Sequence, residues 1–354
     1  MEGVLTDEII ELSPEWDAVL VVRDQTARKK FRVQSLVLSS ASTSFKTTLR
    51  SRLFHGTSVR GGKRPEVILE GDSPVAMEII LSIIHCHNLD KWKALSAKDL
   101  ALVAIHSDRY ECAQSLWPWT FQWLFRFQVQ PTSSWPAEDF GYLLAAMHAS
   151  KAQDQFYNLC NIAVNSLPVD FDFKVWDDDP IMASIPNDAK AHITSVANAT
   201  VNLLRTLLSE TVESLLRRKS EVGTTNNVHC GHCHTVYDQR AKSCPKPSCS
   251  HDVEGSVTRV LCTWERRMGC FMQALAENDL WPPERAFAGV SLSVLMKRFE
   301  GLQKINHGCS MKSQCHLSIQ LDHLEGELAT AVFNAQKPFH RRTTDRARES
   351  SGGS

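Results

Sequence analysis

Three short apolar runs near the start of the chain limit its fold more tightly than any other pattern. Valines and leucine crowd into Asp17–Gln25, which is typical of a buried strand. Phe31 and Val33 then alternate with polar residues, as expected for the second strand of a hairpin, and Val67–Leu69 restores extended character. Helical spacing fills the gap before this third run and the residues after it. The order strand, strand, two helices, strand and further helices predicts a small α+β domain.

Helix-starting signals support this order. Ser35 is predicted to cap the first helix, since a serine side chain accepts from free backbone N–H groups there. Ser73 stands before Pro74, which suits the first helical position. Ser96 is followed three residues later by Asp99, a pattern that resembles a capping box with Asp in place of Glu. We therefore expect helices to begin at three defined points.

Four blocks in this region together resemble a BTB/POZ domain, of the kind abundant in filamentous fungi. They are "DAVLVV", "KKFRVQSLVLSSASTSFKTTL", "EVILEGDSPVAMEIILSIIH" and "LALVAIHSDRYECAQSLWPW". The resemblance covers residues 14–125. Two features depart from the family pattern: Gln34 stands where the family usually has His, and His55–Arg64 is a longer basic loop than many members carry. Neither departure touches the apolar pattern that predicts the fold.

The resemblance implies association rather than catalysis. BTB/POZ domains dimerise or recruit protein partners, among them corepressors and the cullin scaffolds of ubiquitin ligases. Homodimerisation and cullin binding are therefore both candidate activities, and cullin binding normally also uses helices just behind the domain. The animal dimer type uses extra N-terminal structure, whereas here Thr6–Trp16 leaves room for one short helix before the first strand.

A domain of this kind presents an apolar helical face for association, and two groups of residues are candidates for that face. The first group is Phe45, Leu49, Leu53 and Phe54. The second is aromatic and consists of Trp117, Trp119, Phe121, Trp123 and Phe125. For the aromatic group an alternative stays open, because aromatic residues at the end of a domain also pack against the domain that follows.

Apolar residues at helical spacing dominate the rest of the chain. Residues 136–168 are predicted to form a helical extension behind the BTB/POZ-like domain, and the acidic, proline-broken segment Pro168–Asp188 a loop. Residues 188–336 are predicted to form an antiparallel helical bundle with a Cys/His insert at 229–251. Its three stripes are Val201, Leu204, Leu208, Val212 and Leu215; Val257, Leu261, Trp264, Met268, Phe271 and Leu275; and Leu317, Leu321, Leu324, Leu328 and Val332. The polar tail, 337–354, is predicted to be disordered.

The insert concentrates four of the chain's 11 cysteines. Cys230, Cys233, Cys244 and Cys249 have spacings that suit the paired ligands of a tetrahedral zinc site. Three alternates for one of the thiolates are His229, His234 and His251. Four protein ligands leave no position for water, so the predicted role is structural. Two alternatives stay open, a disordered loop with incidental cysteines and a redox dithiol.

A second Cys/His group opens the last predicted helix. Its members are His307, Cys309, Cys315 and His316, which either complete the first site or form one of their own. The predicted fold is thus an α+β BTB/POZ-like domain followed by a mostly α-helical C-terminal region with a zinc-stabilised loop.

Composition restricts the functions available. The formal net charge of −1 creates no global field for nucleic acid or anionic lipid. The acidic N-terminus lacks the pattern of a secretory signal, no window is apolar enough to span a bilayer, and we therefore expect the cytoplasm or the nucleus. The phosphate-binding loop, dinucleotide and hydrolase motifs are missing. We predict a non-enzymatic adaptor, with a nuclear transcriptional regulator whose Cys/His region contacts nucleic acid as the alternative and an unusual Cys/His enzyme as a further rival.

Overall fold

The computed structural model describes residues 8–55, 64–129, 135–217, 227–230, 232–233, 235–238, 246, 249, 257–259, 263–305 and 315–335. Within these residues the chain divides into two compact units. The first contains the described residues up to Ile162 together with Asp172–Lys190. The second contains Ala163–Phe171 and the described residues from Ala191 onward. The predicted tail, 337–354, and residues 56–63 of the basic loop lie outside the described residues.

A four-stranded sheet forms one layer of the first unit. Its strands are β1 (Glu8–Glu11), β2 (Ala18–Arg23), β3 (Arg28–Val33) and β4 (Glu66–Glu70), in the order β1-β3-β2-β4. β2 pairs antiparallel with β3, which confirms the predicted hairpin, and parallel with β4. Of the four strands, β2 has the most continuous buried run.

β1 occupies the segment before the predicted first strand, which had room for one short helix. It pairs parallel with β3, so that Ile10 lies opposite Phe31. Its flanking acids meet the basic residues of β3: Glu8 lies 3.2 Å from Lys29, and Glu11 accepts from Arg32 at 2.8 Å. These partners lie about twenty residues away, and local spacing in a short segment does not show them.

Helices cover the sheet and continue beyond it. The first unit contains α1 (Ser35–Ala41), α2 (Thr43–His55), α3 (Pro74–Ile84), α4 (Ala97–Arg109), α5 (Ala113–Gln128), α6 (Ala137–Ala149) and α8 (Lys174–Asp177). Two helices, α7 (Gln153–Ser166) and α9 (Asn187–Arg217), contribute residues to both units. α3 is buried along nearly its whole length, and α6 packs against α4. The fold of the first unit is therefore the predicted α+β type.

Two of the three predicted caps are confirmed. Ser73 accepts from the backbone N–H of Ala76 at 3.3 Å, and Ser96 accepts from that of Asp99 at 3.0 Å. Ser35 is the first residue of α1 and does not cap it. Instead Asp17 accepts from both the backbone N–H of Ser35, at 2.7 Å, and its hydroxyl, at 2.6 Å. The carboxylate of Asp17, just before β2, is thus the acceptor at the start of α1, in place of the predicted serine hydroxyl.

The predicted helical extension consists of two helices. α6 and α7 are separated at Lys151, whose φ of 58° lies in the left-handed region and ends the helical path. The acidic segment predicted to be a loop also holds more structure than expected. It contains the short helix α8, whose Trp176 is fully buried, and a turn of 3₁₀ helix at Met182–Ser184.

The second unit is mostly helical, as predicted. Besides its part of α9 it contains α10 (Trp264–Glu277), α11 (Pro283–Ala286), α12 (Leu292–Leu302) and α13 (His316–Ala335). α12 was not predicted, although its Leu292, Leu295 and Phe299 are fully buried. The stripe beginning at Val257 was assigned to helix too early: Val257–Arg259 is a strand, and α10 begins after Thr263, whose side chain accepts from the backbone N–H of Arg266 at 3.3 Å.

A second, three-stranded sheet lies in the cysteine region. It consists of β5 (Asn227–Cys230), β6 (Val236–Asp238) and β7 (Val257–Arg259), in the order β6-β5-β7. Both neighbours pair antiparallel with β5. The insert, which was predicted as a metal-organised loop, thus also contains regular backbone pairing.

Candidate interaction surface and metal centre

The first predicted association face does not lie on the surface. Phe45 and Leu49 of α2 are 0% and 1% exposed, so the expectation of an uncovered face is wrong for both. Phe45 stacks on Tyr110 with ring centroids 4.5 Å apart, which places this side of α2 in the core of the domain. The side chains of Leu53 and Phe54, near the end of the same helix, lie outside the described residues, and their role stays a prediction.

The aromatic group divides between two faces of α5. Trp123 is buried, and its indole N–H donates to the backbone carbonyl of Trp92 at 2.7 Å. Trp117, Phe121 and Phe125 point to solvent and are 47%, 52% and 54% exposed. The inward face fixes the helix on the domain, while the outward face presents three large rings to solvent. Part of this group is therefore core, and part of it is an exposed apolar surface.

A buried polar network joins the start of α3 to the end of α4. The Asp72 carboxylate is 1% exposed and accepts from Arg109 at 2.6 Å and from the hydroxyl of Tyr110. The Nε2 atom of His106 accepts from the backbone N–H of Ser73 at 3.1 Å, and its Nδ1 atom faces the carbonyl of Leu102 at 2.8 Å. Burial lowers the pKa of His106 and, with Asp72, raises the pKa of Tyr110. The network holds neutral rings in fixed positions, which is a structural role.

The sulfur atoms of three predicted ligands meet in the cysteine region. Cys230, Cys233 and Cys249 place their Sγ atoms within 4.8 Å of one another, and the atoms of Cys230 and Cys249 are 3.6 Å apart. Zinc–sulfur bonds of ~2.3 Å in a tetrahedron require sulfurs about 3.8 Å apart. The spacing therefore fits three corners of a tetrahedral metal site.

Backbone geometry shapes this cluster. Cys230 ends β5, and its backbone N–H donates to the carbonyl of Thr235 at 3.0 Å, which closes a tight turn around Cys233. Cys249 makes a similar closure, with its N–H donating to the carbonyl of Lys246 at 2.9 Å. Cys230 and Cys249 are buried, whereas Cys233 is half-buried. Two short turns thus bring their thiols together from positions nearly twenty residues apart.

The remaining predicted ligands are not described. Cys244, His234 and His251 lie outside the described residues, as does the side chain of His229, so the fourth corner stays a prediction. In the second group, His307 and Cys309 also lie outside them. Cys315 and His316 are buried, and the Nε2 atom of His316 lies 3.2 Å from the hydroxyl of Ser214. In the part of the chain that the structure covers, neither of these two residues joins the three-cysteine cluster.

Two further expectations concern charge and membranes. The basic run at the end of α9 begins with Arg217, which pairs with Glu213 at 2.9 Å, one helical turn away. The charge of Arg217 is therefore compensated within the helix. Across the described ranges, no helix combines the length and the apolar character that a bilayer crossing requires.

Comparison with known proteins identifies the N-terminal α+β region. A family profile described as BTB/POZ domain matches residues 10–116. The match begins within β1 and ends within α5, so it includes the rest of the four-stranded sheet and the Asp72 network. No curated protein matches the chain. The α+β region at residues 10–116 is a BTB/POZ domain, a module that mediates protein–protein interaction.

Proposed function

We propose that this protein is a non-enzymatic adaptor whose BTB/POZ domain holds a protein partner. The observation that supports the proposal most directly is the combination of that domain with an exposed aromatic face on α5. Trp and Tyr, with Arg, are enriched among the few residues that carry most binding energy at protein interfaces. In this proposal the adaptor acts in the cytoplasm or the nucleus, and the likeness to fungal members stays a prediction.

The chemistry of the buried thiols supports a role without catalysis. A catalytic cysteine needs an accessible thiolate. Burial raises the pKa of Cys112 and of Cys160 to about 12, so both thiols are protonated at neutral pH. The buried polar network around Asp72 holds α3 and α4 together, as described above. A differential alkylation experiment tests this reading: rapid labelling of one thiol at neutral pH, with loss of a turnover activity, would contradict it.

Site-specific photocross-linking tests the adaptor role. A benzophenone side chain replaces Trp117 on α5 in one variant of the full chain and Val294 on α12 in another, two positions that are 47% and 40% exposed. After irradiation in cells, adducts are identified by mass spectrometry, and each identified protein is tested for direct binding. We expect adducts at Trp117 and not at Val294. Adducts confined to Val294, or none at either position, would contradict the proposal.

Recruitment to a cullin scaffold is the more specific form of this proposal. It is supported by α6 and α7, which follow the domain directly, with α6 packed on α4. Helices in this place normally take part in cullin binding by BTB/POZ proteins. Calorimetric titration of the full chain with a purified cullin N-terminal region tests it. Saturable binding supports an adaptor for ubiquitin ligation. Absence of heat at about 100 µM would mean that binding is weaker than ~5.5 kcal/mol and would contradict cullin recruitment.

We also propose that the three-cysteine cluster binds structural zinc, with Cys244 as the fourth ligand. The fit of the sulfur spacing supports this, as does the polar character of the insert, which a metal would stabilise in place of a core. Elemental analysis is the test. We expect one zinc per chain and its loss when Cys230, Cys233, Cys244 or Cys249 is changed to Ser. Cys86→Ser is the matched control, because Cys86 is exposed and outside the cluster. Unchanged zinc in the Cys→Ser variants would contradict the assignment.

The competing function is contact between the cysteine region and nucleic acid. The compensated charge of Arg217 and the net charge of −1 both weigh against it. Binding to nucleic acid would fall steeply with salt, because counterions are released from the phosphates. A binding curve measured at low and high salt distinguishes the two functions. Tight, strongly salt-dependent binding that is lost with the metal would favour the regulator over the adaptor.

A further inference from the structure

The second unit contains a concave pocket between α9 and the segment that joins α10 to α12. Its volume is about 750 Å³, within the range of roughly 300–1,000 Å³ that small-molecule sites occupy. The described residues that line it all belong to this unit. Its apolar lining comes from both sides and consists of Leu208, Val212, Leu275, Leu280, Pro283 and Phe287. We name this cavity the α9 pocket.

The wall opposite α9 is held in place by Arg298 of α12. The guanidinium group of Arg298 donates to the backbone carbonyls of Asp279, at 3.2 Å, and of Ala286, at 2.9 Å. It therefore ties together both ends of the segment that carries this wall. Leu280 and Phe287 of the same segment are buried. The pocket is thus formed in advance of a ligand, which lowers the entropy that binding costs.

Arg205 lies at one end of the α9 pocket and supplies a positive charge. Its guanidinium group lies over the ring of Phe287, 5.1 Å from the centroid, a contact that positions the group without neutralising it. No acidic residue stands three or four positions from Arg205 along α9. In the described part of the chain, its contact is with this ring and not with a carboxylate. The edge of the planar group presents paired N–H donors, which match the two oxygens of a carboxylate.

The second charge of the α9 pocket favours a ligand with a single negative group. Glu213 lines the pocket about two helical turns from Arg205, and it pairs with Arg217 at 2.9 Å. One guanidinium group compensates one negative charge, whereas a doubly charged phosphate ester would keep an uncompensated charge in a pocket that already holds Glu213. Ser209, one turn from Arg205 on the same side of α9, offers a neutral hydroxyl donor to the same anion.

We propose that the α9 pocket binds a medium-chain monocarboxylic acid, with the carboxylate on Arg205 and the hydrocarbon chain directed along α9 toward Val212. These two residues are seven positions apart, about 10 Å along the axis at about 1.5 Å per residue. A saturated chain with bonds of ~1.5 Å advances about 1.3 Å per carbon, so about eight carbons span this length. Leu208 and Leu280 flank the chain, and Trp281, 49% exposed, stands at the rim. The site lies outside the BTB/POZ domain and goes beyond the adaptor function.

Calorimetric titration of the full chain with decanoate tests the proposal, and decan-1-ol is the matched ligand because it has the same chain without the charge. We expect one saturable site for decanoate and binding of decan-1-ol that is about 10-fold weaker or more. Arg205→Gln should weaken decanoate about 10–100-fold and leave decan-1-ol unchanged, because it removes charge-assisted hydrogen bonds alone. Arg266→Gln is the matched control, since Arg266 is an exposed arginine of the same unit that does not line the pocket. Circular dichroism confirms that each variant folds.

A second variant and a reactive ligand locate the bound chain. Val212→Trp fills the pocket and should weaken decanoate and decan-1-ol alike, because the hydrocarbon chain loses its place of burial. A decanoate analogue with a diazirine at the far end of its chain should label peptides that contain residues 208–213 or 275–287. Absence of heat at about 1 mM, equal affinity for the two ligands, unchanged binding in Arg205→Gln, or labels confined to other peptides would each overturn the proposal. Because none of these measurements involves α5, the adaptor function is tested separately.

Discussion

Removal of the Asp72 carboxylate tests the reading of the polar network as structural. Asp72→Ala leaves the Tyr110 hydroxyl without its acceptor in a residue that is only 7% exposed, which costs ~1–3 kcal/mol. The ion pair with Arg109 contributes less, about 0.5–1 kcal/mol, because the arginine side chain is 57% exposed and turns to solvent. The expected loss in free energy of unfolding is therefore about 1.5–4 kcal/mol.

A double-mutant cycle isolates the buried hydrogen bond. Tyr110→Phe removes the hydroxyl and should cost ~1 kcal/mol. When both changes are present, no orphaned hydroxyl remains, so the double variant should be more stable than the sum of the single effects predicts, by ~1–2 kcal/mol. The contact of Phe45 with the ring of Tyr110 is kept in every variant, which makes Phe a matched replacement.

Urea unfolding of the full chain, read from hydrogen exchange of amides in α4, supplies these free energies. α4 carries both Arg109 and His106, so its opening reports on the unit that contains the network. A loss below about 1 kcal/mol for Asp72→Ala, or strict additivity in the cycle, would refute the assigned role. In that case burial of the Asp72 carboxylate would lower the stability of the fold, as is usual for a functional residue.

Three further predictions follow from individual side chains. Burial lowers the pKa of His85 and of His106 below 6.5, so the unfolded chain takes up protons first as pH falls. Stability should therefore be constant above about pH 6.5 and decrease below it. Urea midpoints at pH 7.5 and 5.5 measure this, and His106→Gln should show a smaller decrease. Gly141→Ala should destabilise the first unit by ~1–3 kcal/mol, because an added methyl group would lie 3.0 Å from the Trp176 indole; a melting temperature within one degree of wild type would contradict this. Trp123→Phe should cost ~1–3 kcal/mol through the lost bond to the Trp92 carbonyl and the smaller ring, and an unchanged urea midpoint would show that α5 is anchored in another way.

The sequence predicted those parts of the fold that depend on nearby residues. The β2–β3 hairpin and the caps at Ser73 and Ser96 each follow from residues within a few positions of one another. The errors concern distant partners. Asp17 displaces Ser35 as the cap from 18 positions away, and Val257 pairs with Cys230 in a sheet although its spacing suits a helix. Local patterns do not contain these contacts.

In the candidate sites, too, the sequence predicted features that depend on nearby residues and missed those that depend on distant partners. The spacing of Cys230 and Cys233 predicted that their thiols would converge, since two intervening residues form a turn. Exposure was harder to predict. Phe45 was a candidate for the surface because the family resemblance implies an uncovered apolar helical face, yet its stacking partner Tyr110 lies far along the chain. Conversely, Phe121 and Trp123 lie only two positions apart, and only the packing of α5 shows which of the two faces solvent.

Hydrogen–deuterium exchange on the full chain tests most directly the claim that the BTB/POZ domain, together with the exposed α5 face just after the matched residues, is the part that associates. Exchange is measured at low concentration and again in the associated state, either at high concentration or with an identified partner. The account predicts slower exchange in α5 and the residues beside it, with α10, α12 and α13 unchanged. Slower exchange confined to those three helices, with α5 unaffected, would contradict it.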